Sequence, residues 1–144
     1  MSSRRPGFTL IETLLVLLFA GLLVLGGAQA VGRLGPKLRL QSGIWEVTSG
    51  LNQARFRAIL SGEPVRVRFL PSGFVFERYD AAAAAWRTCR RSVLEGVSVR
   101  ANNAPVFHPQ GTVSNMATVT VANSRGAYRI TVAITGRIRT TRSG

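Results

Sequence analysis

An almost unbroken apolar run near the N-terminus constrains this chain more than any other feature. Residues 8–32 read FTLIETLLVLLFAGLLVLGGAQAVG and contain one charged side chain, Glu12. As an α-helix, a run of this length extends roughly 37 Å, at about 1.5 Å per residue, and crosses a hydrocarbon core of about 30 Å. We therefore predict a membrane-spanning helix over residues 8–32.

Two interpretations of this run compete. In the first it is a secretory signal peptide, with a basic start at Arg4 and Arg5 and an A-x-A cleavage site at Ala28-Gln29-Ala30. That interpretation must account for Glu12, because a carboxylate at this depth costs a few kcal/mol to insert and is expected to have a function and a partner. In the second, the helix stays in the mature protein and Glu12 acts within it.

The leader favours the second interpretation. The string Arg4-Arg5-Pro6-Gly7-Phe8-Thr9-Leu10-Ile11-Glu12 resembles the class III signal of type IV prepilins and type II secretion pseudopilins. The resemblance implies that residues 1–7 are a leader, which a prepilin peptidase removes between Gly7 and Phe8. It also implies that Phe8 is N-methylated and that Glu12 becomes the fifth residue of the mature chain.

The resemblance gives Glu12 a role in assembly. In this family the carboxylate at that position pairs with the N-terminal amine of a neighbouring subunit, and such pairing is favoured because an unpaired carboxylate in lipid is costly.

The resemblance also implies a single-pass inner-membrane protein with a cytoplasmic N-terminus and a periplasmic head. The flanking charges do not favour this orientation by themselves, since Arg4 and Arg5 precede the run while Arg33, Lys37 and Arg39 follow it.

Beyond the apolar run, residues 33–62 are predicted to form the periplasmic part of the stalk helix. Pro36 is expected to kink or interrupt the helix. Past Pro36, apolar residues recur at steps of three and four and predict an amphipathic helix over residues 37–61. These are Ile44, Val47, Leu51, Ala54 and Ala58. Gly62 followed by Pro64 is a stop signal.

Residues 63–144 are predicted to form a β-rich head. Alternation over residues 65–79, with a turn at Pro71-Ser72-Gly73, predicts a hairpin with one buried face. Shorter strands are expected near residues 86–90, 97–100, 106–108, 117–122 and 128–134. The predicted fold is α+β and pilin-like: a long N-terminal helix, membrane-spanning and then amphipathic, packed on a small antiparallel β-sheet head.

The head resembles the GspH/FimT group of the same family. The resembling segments are Leu51-Asn52-Gln53-Ala54-Arg55 with Ala58, Val65-Arg66-Val67, Val106-Phe107-His108-Pro109-Gln110-Gly111 and Ile134-Thr135-Gly136-Arg137-Ile138-Arg139. Major pilins often close a C-terminal disulfide loop. The single cysteine, Cys89, cannot close one, which favours a minor subunit, and we expect it to be a buried or unreactive thiol.

The sequence does not indicate an enzyme. It contains no Ser-His-Asp set, no phosphate-binding glycine loop and no metal-ligand spacing, so we predict no catalytic residues, cofactor or metal. The one histidine, His108, is expected to be a loop or core residue.

The basic C-terminus suggests a binding role. The formal net charge is +13, and Lys37 is the only lysine among 19 basic residues. Such a field attracts polyanions, although a codon bias towards arginine would produce the same composition. On a strand, Arg137 and Arg139 would share one side, where two guanidinium groups suit phosphate oxygens, and Arg142 follows closely. The alternative is a solvated strand edge.

Two functions follow from the resemblance. The first is a minor pseudopilin of a type II secretion system, whose partners are other pseudopilins in a hetero-oligomeric filament, the prepilin peptidase and the inner membrane. The second is a FimT-like minor pilin that binds DNA for uptake through Arg137, Arg139 and Arg142.

Overall fold

A computed structural model describes residues 9–143, without the side chains of residues 24–33. Gly7 and Phe8 therefore lie outside the described residues. One helix, α1 (Leu10–Ser61), precedes the strands. The strands are β1 (Val65–Leu70), β2 (Gly73–Asp80), β3 (Ala85–Val93), β4 (Ser98–Ala101), β5 (Val106–Phe107), β6 (Val113–Ser114), β7 (Thr118–Asn123), β8 (Gly126–Val132) and β9 (Ile138–Ser143).

The long helix does not end at Pro36. The sequence predicted a kink or interruption there, and the interruption is wrong, because α1 continues to Ser61 with Pro36 inside it. An interior proline costs a helix about 3 kcal/mol. Burial of Leu40, Val47 and Leu51, each at most 5% exposed, offsets that cost in the turns that follow. The Pro36 carbonyl also accepts a hydrogen bond from Asn123 Nδ2 at 2.7 Å.

Internal contacts divide the chain into two units, residues 1–35 and residues 36–144. In the first unit, the helical residues up to Leu23 are exposed, including Leu10, Phe19 and Leu23. Within the described part of the chain, no helix combines the length and the apolar character that a membrane crossing requires. The predicted span over residues 8–32 includes Phe8 and the side chains of residues 24–32, which the structure does not describe, and it stays a prediction.

The second unit contains two antiparallel sheets. The first sheet has the strand order β3-β2-β1-β5-β6, and the second sheet has the order β4-β7-β8-β9. The predicted hairpin is confirmed as β1 and β2, in a register that pairs Val67 with Phe76. A two-residue turn at Ser124-Arg125 joins β7 to β8.

The core of this unit lies between α1 and both sheets. The predicted apolar face of the helix is confirmed, with Val47, Leu51, Ala54 and Ala58 at most 1% exposed. Gly43 and Gly50 allow the sheets to approach the helix. A Cβ at Gly50 would lie 2.5 Å from Cζ of Phe74, and one at Gly43 would lie 2.9 Å from a methyl of Val97. A helix packed on antiparallel sheets confirms the predicted α+β, pilin-like fold.

Burial of the hairpin differs from the prediction. Alternation implied one buried face, but β2 is buried on both faces from Gly73 to Glu77. Glu77, only 4% exposed, accepts hydrogen bonds from Arg66 Nε at 2.6 Å and from Arg68 Nε at 2.9 Å. Arg66 also lies over the Trp86 ring, with 4.4 Å between Cζ and the ring centroid. Long arginine side chains therefore cover the outer face of β2.

Cys89 is exposed on β3. We expected a buried or unreactive thiol: burial is wrong, and low reactivity stays a prediction. The pairing of β2 with β3 shifts between Phe76 and Glu77, whose partners are Arg90 and Thr88, and this leaves Cys89 without an opposite residue. A bulge of this kind twists an edge strand and discourages pairing with another chain.

Candidate functional site

The residues predicted to direct processing and assembly lie at the start of the chain. Gly7 and Phe8 are outside the described residues. Glu12 lies in the first turn of α1 and is exposed. A carboxylate there interacts favourably with the positive end of the helix dipole. Among the residues that the structure describes, no side chain forms an ion pair with Glu12.

The two arginines of the C-terminal motif lie side by side. Arg137 ends the turn between β8 and β9, and Arg139 is on β9. The turn is closed by hydrogen bonds from the Gly136 N–H to the Ala133 carbonyl and from the Ala133 N–H to the Arg137 carbonyl, both at 2.9 Å. Both arginines line a shallow depression of about 380 Å³. Its other lining residues are Arg129, Thr131, Ala133 and Thr141.

The sheet register adds arginines that sequence reasoning missed. Residues directly opposite in an antiparallel pair project from the same face. Thr141 is opposite Arg129, Arg129 is opposite Thr120, and Thr120 is opposite Arg100. The outer surface of the second sheet therefore carries a basic face, which we define as Arg100, Arg129, Arg137 and Arg139.

Arg142 does not belong to the basic face. On β9 it alternates with Arg139 and shares the side of Ile138, which packs against the core. Its neighbour on β8 is Tyr128, which also packs against the core. The structure thus brings together Arg137 and Arg139 and separates Arg142 from them.

Charge is distributed unevenly between the two sheets. In the first sheet, carboxylates neutralise many of the arginines. The ion pairs are Arg66–Glu77, Arg68–Glu77, Arg78–Glu63 and Arg87–Asp80, with N–O distances of 2.6, 2.9, 3.3 and 2.7 Å. After Glu95 the sequence contains six arginines and no aspartate or glutamate. This acid-free tail is the sequence signal that could have identified the basic face.

A contact from α1 holds the turn that carries Arg137. Arg55 Nη1 donates a hydrogen bond to the Gly136 carbonyl at 3.4 Å. Gly136 has φ +75°, and a Cβ there would lie 2.7 Å from the Gly111 carbonyl oxygen and 2.9 Å from Arg55 Nε. Only glycine fits this conformation and this spacing. Three sequence-distant segments therefore meet at Arg55, Gly111 and Gly136.

The described residues offer no metal site, since no three His, Cys, Asp or Glu side chains are grouped among them. His108 Nε2 lies 2.8 Å from Ser114 Oγ, in the loop between β5 and β6. The chemistry that the arrangement supports is binding: hydrogen bonds and ion pairs from guanidinium groups on a rigid sheet.

A long helix packed on two small antiparallel sheets defines a pilin-like subunit. Residues 45–136 match the family described as Type II transport protein GspH. The match covers more than half of the chain, and the protein belongs to the GspH family.

The solved structures with this fold include minor pseudopilins and a type IV minor pilin. The minor pseudopilin EpsH of the Type 2 Secretion System of Vibrio cholerae is 20% identical, with 75% of this chain and 97% of that chain covered and a TM-score of 0.58. The type IV minor pilin FimU of Pseudomonas aeruginosa is 16% identical, with 73% and 90% covered and a TM-score of 0.60. GspH of E. coli is 17% identical, with 73% and 89% covered and a TM-score of 0.56. At these identities the similarity establishes the fold alone.

No curated protein matches the chain.

Proposed function

We propose that this protein is a minor pseudopilin, a structural subunit of the pseudopilus of a type II secretion system. The observation that carries the proposal is the match of residues 45–136 to the GspH family. The hydrophobic core of the head is formed by residues of α1 and of both sheets. The proposed subunit acts by packing its helix and presenting its head, and it performs no catalysis.

The proposal includes the processing and placement that the leader implies. A prepilin peptidase would cut between Gly7 and Phe8, and Phe8 would be N-methylated. Residues 8–32 would anchor the subunit in the inner membrane, with the N-terminus cytoplasmic and the head periplasmic. The Glu12 carboxylate, which is exposed and forms no ion pair with the residues that the structure describes, supports a role in pairing with a neighbouring subunit during assembly.

Deletion of the gene tests this function directly. We expect at least a tenfold decrease in the amount of type II cargo in the culture medium, because the pseudopilus would lack a subunit, and unchanged uptake of labelled DNA. Both quantities should be measured in one strain, and a plasmid copy of the gene should restore secretion. Normal secretion together with loss of DNA uptake would refute the pseudopilin proposal in favour of the second candidate.

The second candidate is a minor pilin that binds DNA for uptake, and the basic face favours it. Arg129, Arg137 and Arg139 line one depression on a sheet whose sequence contains no carboxylate. Guanidinium groups on a flat surface suit the phosphate backbone, which carries no sequence information. We therefore infer that any binding would be independent of DNA sequence and strongly dependent on salt.

A salt series with a chain lacking residues 1–36 tests this candidate. We expect binding to duplex DNA of any sequence. We also expect the slope of log K against log salt to decrease by about 0.9 for each phosphate contact removed. The variants are Arg129→Ala, Arg137→Ala and Arg139→Ala. Arg142→Ala is the matched control, because it removes the same charge from the other side of β9. Equal losses in all four variants would indicate net charge alone and refute a defined face.

A further inference from the structure

A cavity of about 400 Å³ lies between the C-terminal end of α1 and the first sheet, and we call it the helix-end cavity. The helix runs along β2: a Cβ at Gly50 would touch the Phe74 ring, and Arg57 lies over the Phe76 ring. The helix ends at Ser61, whereas β2 continues to Asp80. The last turn of α1 therefore leaves part of the sheet face beneath it uncovered.

The helix-end cavity has an apolar floor. Val65 and Phe76, which are 6 and 2% exposed, form this floor, and Leu60 on the rim is 70% exposed. Ligand pockets in proteins usually enclose about 300–1,000 Å³ and combine an apolar lining with a few polar groups. The volume and the floor of the helix-end cavity fit this description.

Arg57 supplies the cavity with a cation. Its Cζ lies 5.5 Å from the centroid of the Phe76 ring, so the guanidinium group is held above the floor. Among the described residues, no carboxylate forms an ion pair with Arg57. A guanidinium group presents its N–H donors in a planar fork that matches the two oxygens of a carboxylate. Arg57 is therefore suited to bind the acidic group of a ligand.

The other charged groups of the cavity do not cancel this cation. Glu77 already accepts hydrogen bonds from two arginines. Arg78, also on the cavity wall, forms an ion pair with Glu63 at 3.3 Å, and both side chains are at least half exposed. An exposed pair of this kind contributes little to stability, so Arg78 is available to a second anion. The helix-end cavity therefore carries an excess of positive charge.

We propose that the helix-end cavity binds a free fatty acid, with its carboxylate on Arg57 and its hydrocarbon chain over Val65 and Phe76. The floor favours a hydrocarbon chain because contact removes apolar surface from water. The charge selects an acid: a neutral chain would cover Arg57 without pairing it, and a cationic amphiphile would be repelled. Such binding requires no other filament subunit, so it goes beyond the proposed function.

Photolabelling of the full-length chain tests the class of ligand. The chain is held in nanodiscs of phosphatidylcholine, and the probe is decanoic acid with a diazirine in its hydrocarbon chain. We expect mass spectrometry to locate the adduct on Leu60, Val65 or Phe76. Unlabelled decanoate should compete with the probe, whereas decanol and decylamine should not.

The methyl ester of the probe is the matched control, because it has the same chain and no charge. It should give about tenfold less adduct in the cavity, as expected for loss of a charged hydrogen bond. Adducts confined to the apolar run over residues 8–32 would overturn the proposal, since they would report partition into the bilayer alone. Equal labelling of the cavity by the acid and the ester would overturn it as well.

Substitution of Arg57 tests the assignment of the carboxylate. Arg57→Gln removes the charge and should lower labelling of the cavity about tenfold, equivalent to about 1.4 kcal/mol. Arg100→Gln removes an exposed arginine from the second sheet and should label like the native chain. Equal losses in the two variants would show that net charge alone attracts the probe, and the proposal would fail.

Filling the cavity tests the position of the chain. Cys89 lines the cavity and has no opposite residue on β2, so a larger side chain there displaces no strand partner. Cys89→Phe should lower labelling about tenfold, because the new ring occupies the space of the ligand. Thr88→Phe, at the exposed neighbouring position, should keep it. Urea midpoints show that both variants are folded, and full labelling of a folded Cys89→Phe chain would place the probe elsewhere and overturn the proposal.

Discussion

Replacement of Phe107 by alanine is expected to lower the free energy of unfolding by about 3–5 kcal/mol. Phe107 is 0% exposed and is the largest of the fully buried side chains. It lies on β5, which pairs with the hairpin strand β1 on one side and with the edge strand β6 on the other. Removing it leaves a cavity that the surrounding strands can only partly fill.

The matched control is Phe56→Ala, which deletes the same ring from a position that is 62% exposed on α1. Urea unfolding in detergent, followed by tryptophan fluorescence, should give a change of less than about 0.5 kcal/mol for this variant. Similar losses of unfolding free energy in the two variants would show that the buried Phe107 ring contributes no more to stability than the exposed Phe56 ring.

The variant Glu12→Ala should be cleaved normally after Gly7 yet enter filaments at least tenfold less than the native chain. A tenfold loss corresponds to about 1.4 kcal/mol per subunit. The physical reason is that a carboxylate surrounded by lipid is stabilised chiefly by a cationic partner, which the proposed assembly supplies as the N-terminal amine of a neighbour. The filament fraction is measured by shearing and immunoblotting, and cleavage by the mass of the mature chain.

Two further variants make the result specific to charge. Glu12→Gln keeps the size of the side chain and removes the charge, and it should assemble as poorly as Glu12→Ala. Thr13→Ala removes the hydroxyl that donates to the Leu10 carbonyl at 2.8 Å, and it should assemble normally. If Glu12→Ala reached filaments at the native level, the carboxylate would have no role in assembly.

The sequence predicted those elements in which the spacing of apolar residues along the chain shows which side chains are buried. Alternation around Val65 and Val67 located the first hairpin strand, and the three- and four-residue spacing of Val47, Leu51 and Ala54 located the buried face of α1. In both cases the periodicity of the chain reports directly which side chains face the core. The resemblance of the leader and head segments supplied the family, which the GspH match confirms.

Features that depend on distant contacts escaped prediction. The two-residue strand β6 is set by its pairing with β5 and has no pattern of its own. The double burial of β2 arises because Arg66 and Arg68 fold over Glu77. The continuation of α1 through Pro36 reflects tertiary packing that overrides a local propensity. The grouping of Arg129 with Arg139 follows from strand register, which single-strand alternation does not give.

Because the second sheet lacks carboxylates, the electrostatic field of its basic face depends mainly on the salt concentration of the solution. Its strands contain no aspartate, glutamate or histidine, and guanidinium groups keep their proton throughout the pH range in which proteins work. The charge of the basic face is therefore carried by guanidinium groups alone. Dissolved ions are then the main control on this face, because its reach contracts from about 30 Å at 0.01 M salt to about 8 Å at 0.15 M. A ligand held there would therefore be released as the salt concentration rises.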